Sequence, residues 1–149
     1  MIIAIDGTSG SGKSTTARIL ADELDFFHID SGSLYRVATY FCIINKIASD
    51  DKNIEQKLNS MEIDFDNKKV LLNGKNISSN IREHYISESV SDYSSNNIIR
   101  TKLSDFQRKL ASNRDVVVEG RDIATNVFPS ADFKFYLMAD IAIRADRRY

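Results

Sequence analysis

One cysteine in 149 residues leaves no room for an internal disulfide framework. That residue, Cys42, sits in an apolar stretch of helical spacing and reads as a reduced core thiol. An excess of charge of either sign is also missing: 20 Lys and Arg stand against 21 Asp and Glu. No general basic field argues for nucleic acid, and no polybasic segment argues for a membrane surface. Apolar runs of membrane-spanning length are absent, and the chain enters a strand-like run at once, with no charged and apolar leader before it. Repeats and low-complexity tracts are absent too. Histidines number two, His28 and His84, and neither has a His or Cys partner at metal-ligand spacing. His28 reads as a packed residue of a strand and His84 as a surface residue. The expectation is a cytoplasmic protein that binds neither nucleic acid nor membrane, and a monomer. What remains, 42% apolar residues, suffices for the core of one domain of ordinary size.

The chain is organised around Gly7-Thr8-Ser9-Gly10-Ser11-Gly12-Lys13-Ser14, followed by Thr15. This is G-x-x-x-x-G-K-[ST], preceded by the strand-like Ile2-Ile3-Ala4-Ile5 and followed by Ala17, Leu20, Ala21 and Leu24 at helical spacing. Glycines let the backbone turn tightly and aim N–H groups inward, and the helix that starts there adds its positive end. Lys13 can reach the β- and γ-phosphates of a nucleotide, and the Ser14 hydroxyl can ligate Mg2+. A dinucleotide fingerprint fits less well, because Gly10-Ser11-Gly12-Lys13-Ser14-Thr15 ends in Thr where Gly or Ala is wanted.

Phe26–Ile29 reads as a second strand, and a helix from about Leu34 to Lys46 carries an apolar stripe of Leu34, Val37, Ala38, Phe41 and Ile44. Arg36 lies off that stripe, either as a solvated charge or as a phosphate ligand beside the glycine loop. From about Ser49 to Lys75 the chain turns polar. Ile63 and Phe65 alternate with polar residues, Lys69-Val70-Leu71-Leu72 follows, and Asn73-Gly74 makes a turn: a small antiparallel hairpin inserted in an α/β chain. Ser78 or Ser79 is placed to cap a helical region around Ile81–Tyr93. Asn97–Asn113 predicts an amphipathic helix with Ile99, Leu103, Phe106 and Leu110 on one face. Val116-Val117-Val118 has the continuous β-branched character of a strand buried on both faces of a parallel sheet. Glu119, Arg121 and Asp122 crowd its carboxyl end, where an acidic side chain can hold Mg2+ through water and an arginine can pair with a phosphate. Phe133–Met138 predicts another buried strand, and Asp140 a cap for a final helix; within 1–149 that last strand is expected to have little cover on one side, leaving the sheet an exposed edge.

The segments IIAIDGTSGSGKST, DSGSLYR, VVVEGRDIATNVFPSADFKFYL and IRADRRY, with LLNGKNISSNIR and IIRTKLSDFQR between them, resemble the bacterial cytidylate kinases among the nucleoside monophosphate kinases. The resemblance implies an α/β fold: a P-loop NTPase-like parallel sheet flanked by helices, with a small inserted antiparallel substrate-binding subdomain at about 60–95. It implies transfer of the γ-phosphoryl group of ATP to CMP or dCMP with Mg2+. On that basis Gly7 to Thr15 bind ATP, Ser31 faces the cytosine and Arg36 the acceptor phosphate. Arg100 faces the cytosine and Ser91 the ribose side, while Arg121 and Asp122 hold the acceptor phosphate and organise the metal site. Arg147, counted with Lys13, Arg121 and Asp122 as catalytic, opens with Arg148 the region leading into a mobile lid. Glu119 stands where the family often has aspartate. Family members run on past Tyr149 through most of that lid, so 1–149 is expected to be a partial kinase domain, better at binding nucleotide than at turnover. Kinases for AMP, UMP or shikimate fit DSGSLYR and the long insert less well. A GTP-type switch needs N-K-x-D and D-x-x-G, and this sequence has neither: Asn45-Lys46 is followed by Ile47-Ala48. A nucleotide-binding fragment without turnover remains open.

Overall fold

The computed structural model describes residues 1–66 and 69–146. In chain order its elements are β1 (Ile2–Gly7), α1 (Lys13–Leu24), β2 (Phe27–Asp30), α2 (Ser31–Ile44), α3 (Ile54–Lys57), β3 (Ile63–Asp66), β4 (Lys69–Leu72), β5 (Lys75–Asn76), α4 (His84–Ser94), α5 (Asn97–Ala111), β6 (Val116–Gly120), β7 (Phe133–Leu137) and α6 (Ile141–Asp146). One-turn 3-10 segments lie at Leu58–Ser60 and Asn80–Arg82, and a π-helical turn at Ile123–Val127. The chain divides into two compact units: Met1–Gly32 together with the chain from Ser104 on, and Ser33–Leu103.

The first unit is built on a parallel sheet in the order β2-β6-β1-β7. Its centre is the pair β1 and β6, both buried through nearly their whole length, as their continuous Ile and Val runs require. Ile3, Ile5 and Val117 pack with Ala17 and Ala21 of α1 into one buried cluster. β7 departs from one expectation, burial, and meets another, an exposed sheet edge. It is an edge strand paired to β1, and Phe133, Phe135 and Tyr136 are 50%, 49% and 60% exposed. Its apolar sequence reads the same whether a strand is covered or not, so periodicity could not tell the two apart.

The second unit holds the antiparallel sheet β3-β4-β5, with Ile63 opposite Leu72 and Phe65 opposite Val70. Asn73 (φ 48°) and Gly74 (φ 77°) both take left-handed conformations, the geometry an Asn-Gly two-residue hairpin turn demands. The α/β class with a small antiparallel sheet is therefore present as read. Two local readings are corrected. Ser79 precedes the 3-10 turn without a side-chain cap, and α4 starts after Glu83. Ser78 instead accepts the Val70 N–H at 3.0 Å and donates to Asn76 Oδ1 at 2.8 Å, tying off the sheet. Ile44 ends the α2 stripe 51% exposed, while Leu34, Val37, Ala38 and Phe41 are buried.

Candidate functional site

Strand alternation decides which side chains meet. Register pairs Ile5 with Glu119 and Asp6 with Gly120. Successive residues face opposite sides of a sheet. Ile3, Ile5 and Val117 look toward α1, so Glu119 does too. There its Oε2 accepts the Ser14 hydroxyl at 2.6 Å, although Glu119 is only 2% exposed. Asp6 faces the other way. Its two oxygens accept the backbone N–H groups of Ile123 and Ala124, each at 2.9 Å.

Between these strands and α1 runs the glycine loop. Gly10 (φ 77°) and Gly12 (φ 92°) occupy left-handed conformations that side-chain-bearing residues seldom take. α1 begins directly after Gly12, and Thr16 N–H to Gly12 O, at 3.0 Å, is an early helical bond. The N–H groups of a helix's first turn have no partner within the helix. Together with the helix dipole they suit an anion. Lys13 Nζ reaches back to the Thr8 carbonyl at 3.4 Å. Ser11 Oγ is buried and has no hydrogen-bond partner among the described residues. At the loop's apex, Arg144 Nε donates to the Ser9 carbonyl at 2.8 Å. Thr8 is half-buried, while Ser9 and Thr15 are exposed.

Arg121 and Asp122 follow β6 on the Asp6 side of the sheet. Arg121 is exposed and Asp122 half-buried. The turn behind them is pinned from several directions. Besides the Asp6 bonds, Asn126 Nδ2 donates to Asp122 Oδ2 at 3.0 Å, and Arg108 of α5 donates to the carbonyls of Val127 and Asn126 at 3.0 and 2.9 Å. Ser31, the first residue of α2, is buried, and a Cβ on Gly120 would lie 3.4 Å from the Ser31 Cβ. The first unit thus gathers the glycine loop, Lys13, Ser14, Ser31, Arg121 and Asp122 at the carboxyl ends of its parallel strands, where ligands of such sheets bind.

The second unit holds the other predicted residues. Arg36 Nη1 donates to the Ile81 carbonyl at 3.2 Å and to Ser87 Oγ at 2.7 Å, so it is not a free surface charge. Arg100 is half-buried on α5 and donates to the Ser94 carbonyl at 3.4 Å. Ser91 is exposed on α4, and its carbonyl accepts the Ser95 N–H at 3.2 Å. Arg147 and Arg148 lie outside the described residues. His84 is exposed, as read.

Sequence reasoning missed Asp6 and Arg108 as supports of the Arg121–Asp122 turn. Asp6 could have been found from strand parity, since an acid one residue past a core strand position and just before the loop must face away from α1. Nothing in the spacing of Arg108 marks it.

The donor set fits Mg2+. Magnesium favours oxygen ligands and usually takes one or two protein oxygens with substrate phosphates and water. Ser14 and Glu119 offer that set. Among the described residues no cluster of three or more His, Cys, Asp or Glu could form a protein-only cage. No helix among the described residues is long and apolar enough to cross a membrane.

A family model described as cytidylate kinase matches residues 3–149. A cytidylate kinase of Fusobacterium nucleatum is 44% identical over 150 residues, covering 100% of this chain and 69% of the relative. One from Thermosipho melanesiensis is 44% identical over 147 residues, covering 99% of this chain and 67% of the relative, and one from Clostridium tetani 42% identical over 150 residues, covering 100% and 66%. The chain spans about two thirds of the length of these curated relatives. With a family model over nearly its whole length and relatives of this identity, the chain belongs to the cytidylate kinase family, whose members are ATP-dependent phosphotransferases acting on CMP and dCMP.

Proposed function

We propose that this chain binds Mg2+·ATP on the β1–α1 loop and hands the γ-phosphoryl group to CMP or dCMP. The observation that carries this reading is the 2.6 Å bond from Ser14 to buried Glu119 under the start of α1, an oxygen pair set beside an anion-binding helix end. Phosphoryl transfer asks little covalent work of a protein: it positions the two phosphates in line and neutralises charge that spreads in the transition state. Lys13 and the first-turn N–H groups of α1 hold the ATP phosphates. Ser14 and Glu119 would hold the metal, which when bound neutralises charge on the β- and γ-phosphate oxygens. Arg121 would pair with the acceptor phosphate, and Asp122, which accepts from Asn126, would help organise the metal site through the turn it holds. For the acceptor, this reading gives Arg36 the CMP phosphate, Arg100 and Ser31 the cytosine and Ser91 the ribose side. Arg147 completes the catalytic set.

The test is a coupled ADP-release assay with ATP, Mg2+ and CMP, with AMP and UMP in parallel. CMP-dependent turnover is expected. Lys13→Ala and Arg121→Ala each remove a preorganised charge and should lower kcat about 10²-fold or more. Turnover with AMP or UMP equal to that with CMP would overturn the acceptor assignment. Because the chain spans about two thirds of its relatives' length, nucleotide binding without turnover is the second reading. Calorimetric binding of ATP and CMP with no ADP release would select it.

A further inference from the structure

His28 has no task in the mechanism above, yet it stands beside the metal-side carboxylate. In the parallel ladder it pairs with Val117, and Asp30 pairs with Glu119, so His28 shares the α1 face of the sheet with Glu119. Its Nε2 lies 3.3 Å from Glu119 Oε1, with the two side chains 25% and 2% exposed. Glu119 therefore divides its oxygens: Oε2 takes the Ser14 hydroxyl, and Oε1 faces the imidazole. Neither His28 Nε2 nor Glu119 Oε1 has a hydrogen-bond partner among the described residues. A carboxylate oxygen buried this deeply without a donor is costly, so its surroundings call for an explanation. At 3.3 Å the imidazole nitrogen is within donor–acceptor distance of it. Glutamate also has one more torsion to fix than aspartate, so its carboxylate gains more from a second hold.

We propose that His28 is a positioning residue for metal binding: its Nε2–H holds Oε1 of Glu119, leaving Oε2 and the Ser14 hydroxyl turned toward the Mg2+ of bound Mg2+·ATP. The inference rests on the reading of Ser14 and Glu119 as the metal side of an ATP site. The role asks only for a hydrogen on Nε2, which imidazole can carry. Partners that orient a metal ligand commonly contribute 10- to 100-fold in metal affinity, which sets the size of effect expected.

The experiment is calorimetric titration of ATP into the whole chain, once with Mg2+ and once with EDTA, for the wild type, His28→Ala, His28→Phe and His28→Gln. Wild type should bind ATP more tightly with Mg2+. His28→Ala and His28→Phe should lose about 10-fold or more of that gain while binding metal-free ATP as wild type does. His28→Gln, which keeps a donor, should recover part of it. Phenylalanine fills the space of the ring, so it carries the test if the alanine variant does not fold. Equal losses with and without Mg2+ would mark a packing role and overturn the proposal, as would a gain from Mg2+ that both variants retain in full. A wild type that gains nothing from Mg2+ would instead overturn the Ser14–Glu119 metal reading, and the His28 proposal with it.

Discussion

Asp6 shows how much one side chain can arrange. It is 4% exposed, and its carboxylate receives two backbone N–H groups from the turn that follows Arg121 and Asp122. Hydrogen bonds to a charged group contribute roughly 1.5–3 kcal/mol, and a removed acceptor leaves its donors buried and unpaired. Asp6→Ala is therefore expected to destabilise the chain by about 2–4 kcal/mol in urea unfolding. In kinetics it should raise KM for CMP more than KM for ATP if the turn it holds carries the acceptor phosphate, as proposed above. Cys42 gives the pH-dependent case. Burial, helped by the charge of Asp51, pushes its thiol from 9.0 up to about 11. The folded chain thus keeps the proton at pH values where the unfolded chain releases it. Stability is unaffected below pH 9 and falls as pH rises toward 11. At pH 8 the thiol should resist iodoacetamide in the native state and react once the chain is unfolded; fast native alkylation would contradict its burial.

At the scale of elements, the sequence was most readable where one local cause suffices. The glycine loop, its strand and its helix follow from residue types at fixed spacing. The Asn73-Gly74 turn follows from dihedral preference, and its left-handed angles appear as required. Gly74 has open space around a would-be Cβ, so Gly74→Ala meets dihedral strain alone and should cost about 1 kcal/mol. A thermal melt measures this, and ATP affinity should stay unchanged. Elements held by longer-range contacts were less readable. β5 is a two-residue strand whose place depends on β4, and α3 is a single short helix in a polar stretch. The π-helical turn at Ile123–Val127 gets its bonds from Asp6 and Arg108, remote in sequence, so nothing local announced it. Arg36 had two readings, surface charge or ligand; its bonds to Ile81 and Ser87 show a guanidinium already oriented by its neighbours.

For the molecule in bulk, the edge strand β7 and the small net charge act together. Phe133 and Phe135 are half exposed on the strand that ends the sheet among the described residues, and the chain's net charge is −1 with a pI near 6.1. Exposed apolar edge strands template pairing between chains, and a charge near zero gives little repulsion against it. Sedimentation should reveal concentration-dependent association near pH 6, reduced by Phe133→Lys with Phe135→Lys. Unchanged association in that double variant would place the sticky surface elsewhere. Apolar composition predicts the strand, while its thin cover is legible only from its place as the last strand of the sheet, because cover is a property of what lies alongside.

The opposite facing of Asp6 and Glu119 has a consequence for how the chain tolerates change in length. The two sit one register step apart on neighbouring strands, and each serves a different side of the sheet. Substitutions trim one function and spare the other. Losing or gaining a single residue within β6 would turn Glu119 away from Ser14 and, with Asp6 left in place on β1, would shift by one position the turn whose N–H groups Asp6 accepts. The strand is thus open to revision in spelling and closed to revision in length.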